Sequence, residues 1–594
     1  MSGDLPEPRE SWVDAVADAE RRGELLAAFD LAERGLEEHP DDVWLRHRAV
    51  LALARAGSTE EAQRRFDAYG LATIAEEDVQ ALQARIAKDL ALAVGKREDS
   101  RRAASLYAEI FERTGGYYPG VNAATLLLLA GERAQADALA RRVLEAVAAE
   151  VQDSYYVQAT VAEAQLVLGR VDDARRALVR AGGLADRDYG ALATTRQQLR
   201  LICEETGLET ELLSAIAGPS VVHFCGHRIA PVGTEAGRFP ADAEGAVAAA
   251  IAAEIERDPP GFGYGSLASG ADILCAEALL AAGAELHVVL PFARDEFVRV
   301  SVEDGGGDWV ARFDRCLAAA TAVDYATADG YLGDDVLFRY ASELAMGLAL
   351  LRARYVDASV RQIAVWDGQP ARGEAGAAVD IATWTDRGHR AEMIRPTKSP
   401  SPATDPPPAM GAQGSGRVVR ALLFSDVKGF SRLTDEQLPW FAEHVLGAIA
   451  DVLDRHAHAI SYRETWGDAV YVVLADAMSA AACALDLQEA MEALDLAALG
   501  LPAHLALRLG GHLGPVLPVL NPVVGAPGFM GSHVSRTARI EPVTPPGSVF
   551  VTEPFAAALV LRNSPFACDY VGHVPAAKDF GRLRMYRLRR GRGR

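Results

Sequence analysis

The chain has 594 residues, half of them apolar and 24% charged, with a formal net charge of −22. Its length exceeds one core and implies three or four domains of ordinary size, and its composition excludes a disordered or membrane-embedded chain. So acidic a balance excludes a general nucleic-acid binder, which needs a basic surface against phosphate.

The start, MSGDLPEPRE, lacks the basic-then-apolar order of a secretory leader, and no apolar run is long enough to span a bilayer. A cytoplasmic protein without a membrane contact is expected. The six cysteines lie far apart with no CxxC pair, so they read as buried free thiols and not as a zinc site or disulfide framework.

Residues 1–216 are rich in Ala, Leu, Glu and Arg, with apolar residues at helical spacing. A glycine followed five residues later by an alanine recurs at Gly23/Ala28, Gly57/Ala62, Gly131/Ala136 and Gly169/Ala174, each pair opening the second helix of a hairpin. The first two copies are 34 residues apart, the tetratricopeptide period. Ser58 and Glu61 are spaced for a capping box. The segment resembles tetratricopeptide-like regulatory regions, and YYPGVNAATLLLLAG (117–131) looks like part of the TRAF-binding region of stress-activated kinases. The resemblance implies a protein partner and no chemistry.

From residue 217 to 398 the texture is that of alternating strand and helix. VVHFC (221–225) ends in Gly226 as a buried parallel strand would, a helix pattern covers 241–255, and GYGSLASGAD (263–272) runs into a helix. Further strands are expected at 286–292, 321–325 and 362–366. This is the pattern of an open, doubly wound α/β domain with ligands beyond the strand carboxyl ends. His223 and His227 read as a core and a loop histidine. FCGHR (224–228), GYGSLASGADILCAE (263–277) and VVLPF (288–292) resemble the SLOG superfamily of Rossmann-like domains. That resemblance implies a sensor for a nucleotide-derived ligand, with Gly226, Arg228, Gly265, Ser266, Gly270, Asp272 and Glu277 as ligand-binding candidates. No PGGxGT-type loop is present, which argues against hydrolysis there.

Residues 399–416 form a Pro/Ser/Gly/Ala tract, a linker by composition, so the parts it joins are expected to move. After it, VVRALLFSDV (418–427) reads as a strand, followed by a turn and a helix start capped by Thr434 and Gln437. A hairpin turning at Gly467-Asp468 joins two further strands. Asp426 and Asp468 thus sit at adjacent strand ends, facing a glycine-containing loop. Such a pair suits two magnesium or manganese ions and a triphosphate.

FSDVKGF (424–430), ETWGDAVY (464–471), RLGGHLGPV (508–516) and GSHVSRTARIEPVTPPG (531–547) closely resemble, in order and spacing, the signatures of class III adenylate and guanylate cyclases. The resemblance covers 417–590. It implies a ferredoxin-like α+β core, a homodimer with shared sites, and conversion of a nucleoside triphosphate to a 3′,5′-cyclic nucleotide and pyrophosphate. Asp426, Asp468 and the Val427 backbone would hold the metals, and Gly429 and Phe430 the phosphates. Arg539 and Lys578 match the arginine and lysine that contact the reacting phosphates. Ser535 replaces the usual ribose-orienting asparagine, with Arg536 beside it as a substitute. Glu464 occupies the base-reading position as in guanylate cyclases, whereas Gly528 leaves the second base position empty. GTP is therefore modestly favoured over ATP or a pyrimidine triphosphate, the last as in bacterial defence cyclases. The competing class is an inactive pseudo-cyclase serving as a nucleotide-binding scaffold. The arginine-rich end, 587–594, reads as solvated, and its last four residues, 591–594, as a tail beyond the domain.

Overall fold

The computed structural model describes residues 8–230, 238–396, 416–523, 525–578 and 580–591. Apart from Gly416, the expected linker lies outside them. The chain forms two compact units: residues 1–218 with the short segments 354–358 and 569–572, and the remainder.

The first unit is helical throughout, from Arg9–Arg21 to Tyr189–Thr206, and closes in a 3₁₀ segment at Thr210–Ile216. Its repeat is a helix-ending device. Gly23, Gly57, Gly131 and Gly169 all have φ between +72° and +85°. The residue after each glycine donates its N–H to a carbonyl five back, as Ser58 does to Leu53 O at 2.9 Å and Arg170 to Gln165 O at 2.8 Å. This is the Schellman stop, which wants a residue without a Cβ in left-handed backbone. Five residues on, Ala28, Ala62, Ala136 and Ala174 are wholly buried, because the returning helix packs closely there. The expected capping box does not form. Ser58 Oγ has no hydrogen-bond partner, and Glu61 instead pairs with Arg64 and Arg65.

The second unit opens with six parallel strands: β1 Ser220–Gly226, β2 Pro260–Gly265, β3 Glu285–Leu290, β4 Ala322–Tyr325, β5 Val360–Val365 and β6 Ala391–Ile394. Their order, β4-β3-β2-β1-β5-β6, reverses between β1 and β5. At that reversal Gly226 is obligatory, since a Cβ there would lie 2.4 Å from Ala271 Cβ at the start of the helix after β2. His223 is a core residue bonded to Gln362 at 3.1 Å, and His227 pairs with Asp367.

Eight strands follow: β7 Val418–Lys428, β8 Ile460–Trp466, β9 Ala469–Leu474, β10 Ala506–Asn521, β11 Ala526–Met530, β12 Ser548–Thr552, β13 Phe566–Pro575 and β14 Arg582–Arg590. A helical segment separates β7 from β8 and another separates β9 from β10, and the sheet order β10-β7-β9-β8 makes this a β-α-β-β-α-β core. The arginine-rich end is part of this sheet up to Arg590, whose guanidinium binds Asp486 and Glu489, so the expectation of a solvated run fails for those residues.

The α/β domain and the C-terminal domain belong to one compact unit and share buried surface, contrary to the expected independence. Helix Val336–Tyr355 carries the contact. Its Gly347 lies where a Cβ would strike Ala557 O at 2.5 Å, and Met346 and Leu350 cluster with Trp384 and Leu561. The buried Tyr340 hydroxyl donates to Leu513 O at 2.8 Å. Burial on both sides of one apolar helix leaves no solvated gap across which the domains could separate freely. Among the described residues no helix is long and apolar enough to cross a membrane.

Candidate functional site

Strand pairing places Arg508 of β10 directly opposite Asp426 of β7. The guanidinium donates to Asp426 Oδ2 at 2.6 Å from Nη2 and at 3.2 Å from Nε. The same Nε lies 2.6 Å from Glu541 Oε1. Asp468 occupies the two-residue turn between β8 and β9, and its Oδ2 accepts the Val427 N–H at 3.3 Å. Burial, reinforced by neighbouring Asp426, pushes the Asp468 carboxyl up to about 6. Glu541 is pushed to about 7 by burial and by both aspartates, against the pull of Arg508.

Two carboxyls thus share one guanidinium, and Asp468 neighbours the first of them. Adjacent carboxylate oxygens such as those of Asp426 and Asp468 suit a hard divalent cation. Arg508 and Glu541 were not singled out in the sequence. Each lies in a stretch that was, but only the β7/β10 register sets Arg508 opposite Asp426, and only the packing of the turn at Glu541 brings that carboxyl to Arg508.

After β7 the chain turns through Gly429 into a three-residue 3₁₀ turn, Phe430–Arg432, and helix begins only at Leu438. The Phe430 ring packs on Phe441 at 4.9 Å. Gln437 Oε1 accepts the Thr434 N–H at 3.1 Å, as the cap spacing implied. Arg539 stands two residues before Glu541, and its carbonyl accepts the Ala577 N–H at 3.1 Å, so the exposed Lys578 is tied to the same neighbourhood. Ser535 is exposed, whereas Arg536 has a buried, unpartnered Nε and adds to the burial that depresses the pKa of His512 and His533. Arg536 therefore faces the histidines and does not stand in for Ser535.

Residues 413–589 match the family model for the adenylate and guanylate cyclase catalytic domain. The C-terminal region is homologous to that domain. Residues 24–127 match the tetratricopeptide repeats-sensor model, which makes the helical unit tetratricopeptide-like. Among solved structures, the adenylyl cyclase CyaB from P. aeruginosa is 18% identical, with 29% of this chain and 94% of that one covered and a TM-score of 0.27. The guanylate cyclase domain of RhGC from Catenaria anguillulae, solved with GTP, is 19% identical over 29% of this chain and 97% of its own, with a TM-score of 0.26. The guanylyl cyclase Cya2 is 23% identical over 29% and 92%, with a TM-score of 0.25. No curated protein matches the chain.

In the cyclase domain Glu464 lies on β8, where its Oε2 accepts the Tyr462 hydroxyl at 2.5 Å. This bond pushes the Tyr462 phenol up to about 12. Gly528 on β11 approaches the same ring, with Tyr462 Cε2 3.9 Å from where a Cβ would stand. The two base-reading candidates are thus gathered around Tyr462, a residue the sequence did not flag.

The α/β domain holds a cavity of about 520 Å³ beyond the carboxyl ends of β1 and β2. Gly226, Arg228, Gly265, Ser266 and Asp272 line it, as do Arg238 and Asp380. Gly270 and Glu277 are not among its lining residues. Gly270 packs under the Arg228 backbone, and Glu277 is held by Arg312 at 2.5 Å, so the helix turns it away from the ligand side. Asp272 Oδ2 accepts the Ala268 N–H at 3.2 Å, while Oδ1 is buried without a partner. Burial pushes Asp272 and Asp380 each up to about 7.

Proposed function

We propose that the protein is a nucleotidyl cyclase that turns a nucleoside triphosphate, GTP by modest preference, into a 3′,5′-cyclic nucleotide and pyrophosphate. The observation that carries this reading is the convergence of Asp426 and Asp468 beside Glu541 at the ends of β7 and the β8–β9 turn. In the proposed reaction the ribose 3′-oxygen bonds to the α-phosphorus, the bond to the β-phosphate oxygen breaks, and the hydroxyl proton leaves to solvent. Asp426 and Asp468, with the Val427 backbone, would hold two magnesium or manganese ions. Bound there, the cations would acidify the hydroxyl and neutralise the leaving pyrophosphate.

The chain's own side chains would do the rest. Arg539 stabilises charge on the transferring phosphate, Lys578 binds the terminal phosphates, and the Gly429–Phe430 turn approaches them with backbone N–H groups. Ser535 orients the ribose with a shorter reach than an amide. Glu464 retains Oε1 and a free lone pair on Oε2 for the N1–H and 2-amino donors of guanine, which adenine does not present together. A homodimer through the cyclase domain is supported by its exposed Trp440, Trp466, Leu520, Val523 and Met530.

The α/β cavity supports a regulatory, SLOG-like role. Its position at the strand-order reversal is where such sheets bind ligands, and the shared helix Val336–Tyr355 connects it to the cyclase domain. The deciding experiment incubates the pure protein with each of the four triphosphates and Mg²⁺ or Mn²⁺ and identifies products by mass spectrometry. Cyclic GMP as the main product is expected. Binding of nucleotide with no cyclic product from any of the four would instead make the domain a scaffold.

A further inference from the structure

Within the helical unit, five helices turn one face toward a common cavity of about 550 Å³: Val43–Arg55, Glu77–Val94, Tyr117–Leu129, Tyr155–Val167 and Tyr189–Thr206. That is well inside the range of small-molecule sites, roughly 300–1,000 Å³. The lining is unlike the core behind it. Where a stacked repeat buries alanine and leucine, this face carries Arg48, Arg55, Arg85, Lys88, Asn122, Glu163 and Gln198.

The floor is a hydrogen-bonded network. Lys88 Nζ donates to Asn122 Oδ1 at 3.0 Å and to Gln198 Oε1 at 3.1 Å. Gln198 Nε2 donates to Glu163 Oε1 at 2.8 Å, and Thr125 donates to the same oxygen at 2.6 Å. Lys88 and Arg85 are only 6% and 7% exposed. Arg85 Nε has no hydrogen-bond partner, its nearest carboxylate, Asp89, being 3.6 Å away. Arg48 Nε and Arg55 Nε are likewise buried and unpartnered, although Arg48 Nη1 meets Glu20 Oε2 at 3.3 Å. Burial without a full set of partners is costly for a guanidinium, and three such groups on one cavity wall call for an anion. Glu77, Asp78 and Glu150 also line the cavity, and burial raises the pKa of Glu163, the one carboxyl in the floor network, against its bonds to Thr125 and Gln198. Tyr117, Tyr118 and Tyr156 complete the lining, and Tyr118 and Tyr156 are exposed enough to form its rim.

We propose that this cavity binds a nucleoside phosphate: the guanidinium edges of Arg48, Arg55 and Arg85 take the phosphate, the Lys88–Asn122–Gln198–Glu163 floor takes ribose hydroxyls, and the rim tyrosines cover the base. The concave face of a helical repeat is its ordinary binding surface, yet a peptide groove needs an open trough and not a polar floor sealed by a lysine. The site is separate from the cyclase domain and stands whether or not that domain turns over.

The test uses the full chain carrying Asp426→Ala, in EDTA, so that metal-dependent nucleotide binding at the C-terminal domain is suppressed. AMP, ADP-ribose, ribose 5-phosphate and inorganic phosphate are titrated by calorimetry, and amide hydrogen exchange locates any binding. We expect AMP or ADP-ribose to bind and to protect residues 77–94 and 189–206, with ribose 5-phosphate at least tenfold weaker. Arg85→Gln and Lys88→Met should each weaken binding tenfold or more. Arg55→Ala, on the phosphate wall, should also weaken binding tenfold or more, and the rim variant Tyr156→Ala, which disturbs no buried network, should weaken it severalfold while leaving thermal unfolding unchanged. No binding by any probe, protection confined to residues 219–591, unchanged affinity in both Arg55→Ala and Tyr156→Ala, or binding of extended peptides that phosphate compounds do not displace would each overturn the proposal.

Discussion

Two pairs of aspartates in this chain differ in their surroundings, since only one of them has a guanidinium bonded to a member. Asp426 and Asp468 stand at strand ends in the cyclase domain with Arg508 bonded to the first of them, while burial and Asp426 push the second up to about 6. Asp272 and Asp380 face the α/β cavity with no ion-pair partner of that kind, and burial holds both toward the neutral acid at about 7. The same side chain therefore suits two chemistries. Beside a guanidinium and other carboxyls at a strand end it suits cation binding, whereas a buried carboxyl held toward its neutral acid can donate as well as accept hydrogen bonds to a polar ligand.

The largest break in that comparison is removal of a charged member. Asp426→Ala or Asp468→Ala should lower cyclic nucleotide production about a hundredfold or more with little change in thermal unfolding, because each removes a ligand from a crowded set and not a packing group. Turnover above a tenth of wild type in either variant would end the two-metal assignment.

Whether the charged cluster is complete within one chain is the next question. Mixing inactive Asp426→Ala protein with inactive Arg539→Ala protein should restore about a quarter of wild-type activity, since half of randomly paired dimers are mixed and each holds one intact site. If mixed dimers form and stay inactive, the site belongs to a single chain.

Protonation sharpens the contrast further. With Asp468 titrating at about 6, the Mg²⁺ concentration for half-maximal turnover should rise up to about tenfold per pH unit below that value and level off above about pH 7. A metal requirement independent of pH between about 5 and 8 would show that Asp468 is not a ligand.

Base selection is a smaller effect. Glu464→Lys replaces acceptors by a donor suited to adenine N1 and should move the GTP:ATP activity ratio about tenfold toward ATP, incompletely because Gly528 supplies no second contact. An unchanged ratio would remove Glu464 from base reading and leave the metal site untouched.

The smallest effect probes the neutral pair. Asp272 has a folded-state pKa of about 7, above the ordinary carboxylate value of 3.8, so the stability it contributes is complete below about pH 4 and is lost as pH rises through about 7. Asp272→Asn does not titrate. The melting temperature of wild type relative to this variant should therefore fall between about pH 4 and 7 and stay flat outside that window. A constant difference would mean that Asp272 is charged throughout and that the two pairs are alike.

Local chemistry made much of the architecture legible. The four Gly/Ala pairs announced breaks between paired helices, the Gly467-Asp468 turn announced a hairpin, and the apolar runs announced β1, β3, β7 and β9, because each rests on a few contiguous residues. Strand β6, Ala391–Ile394, escaped notice, being short and without a β-branched residue until its end. The capping box at Ser58 was a correct spacing defeated by competition, since two arginines one turn on bind the Glu61 carboxylate more strongly than a backbone N–H does.

By itself the sequence determined where helices stop, which residues turn, which strand ends carry Asp426 and Asp468, and that the C-terminal third resembles the cyclases. All of these are encoded within a few residues of one another, by backbone conformation and side-chain alternation. Only the tertiary structure decided that Arg508 faces Asp426, that Glu541 joins the cluster, that Glu277 turns away from the α/β cavity, and that Lys88, Glu163 and Gln198 meet on one floor. Such meetings are set by strand register and helix packing between segments tens of residues apart, and no local propensity specifies which distant partner a side chain will find.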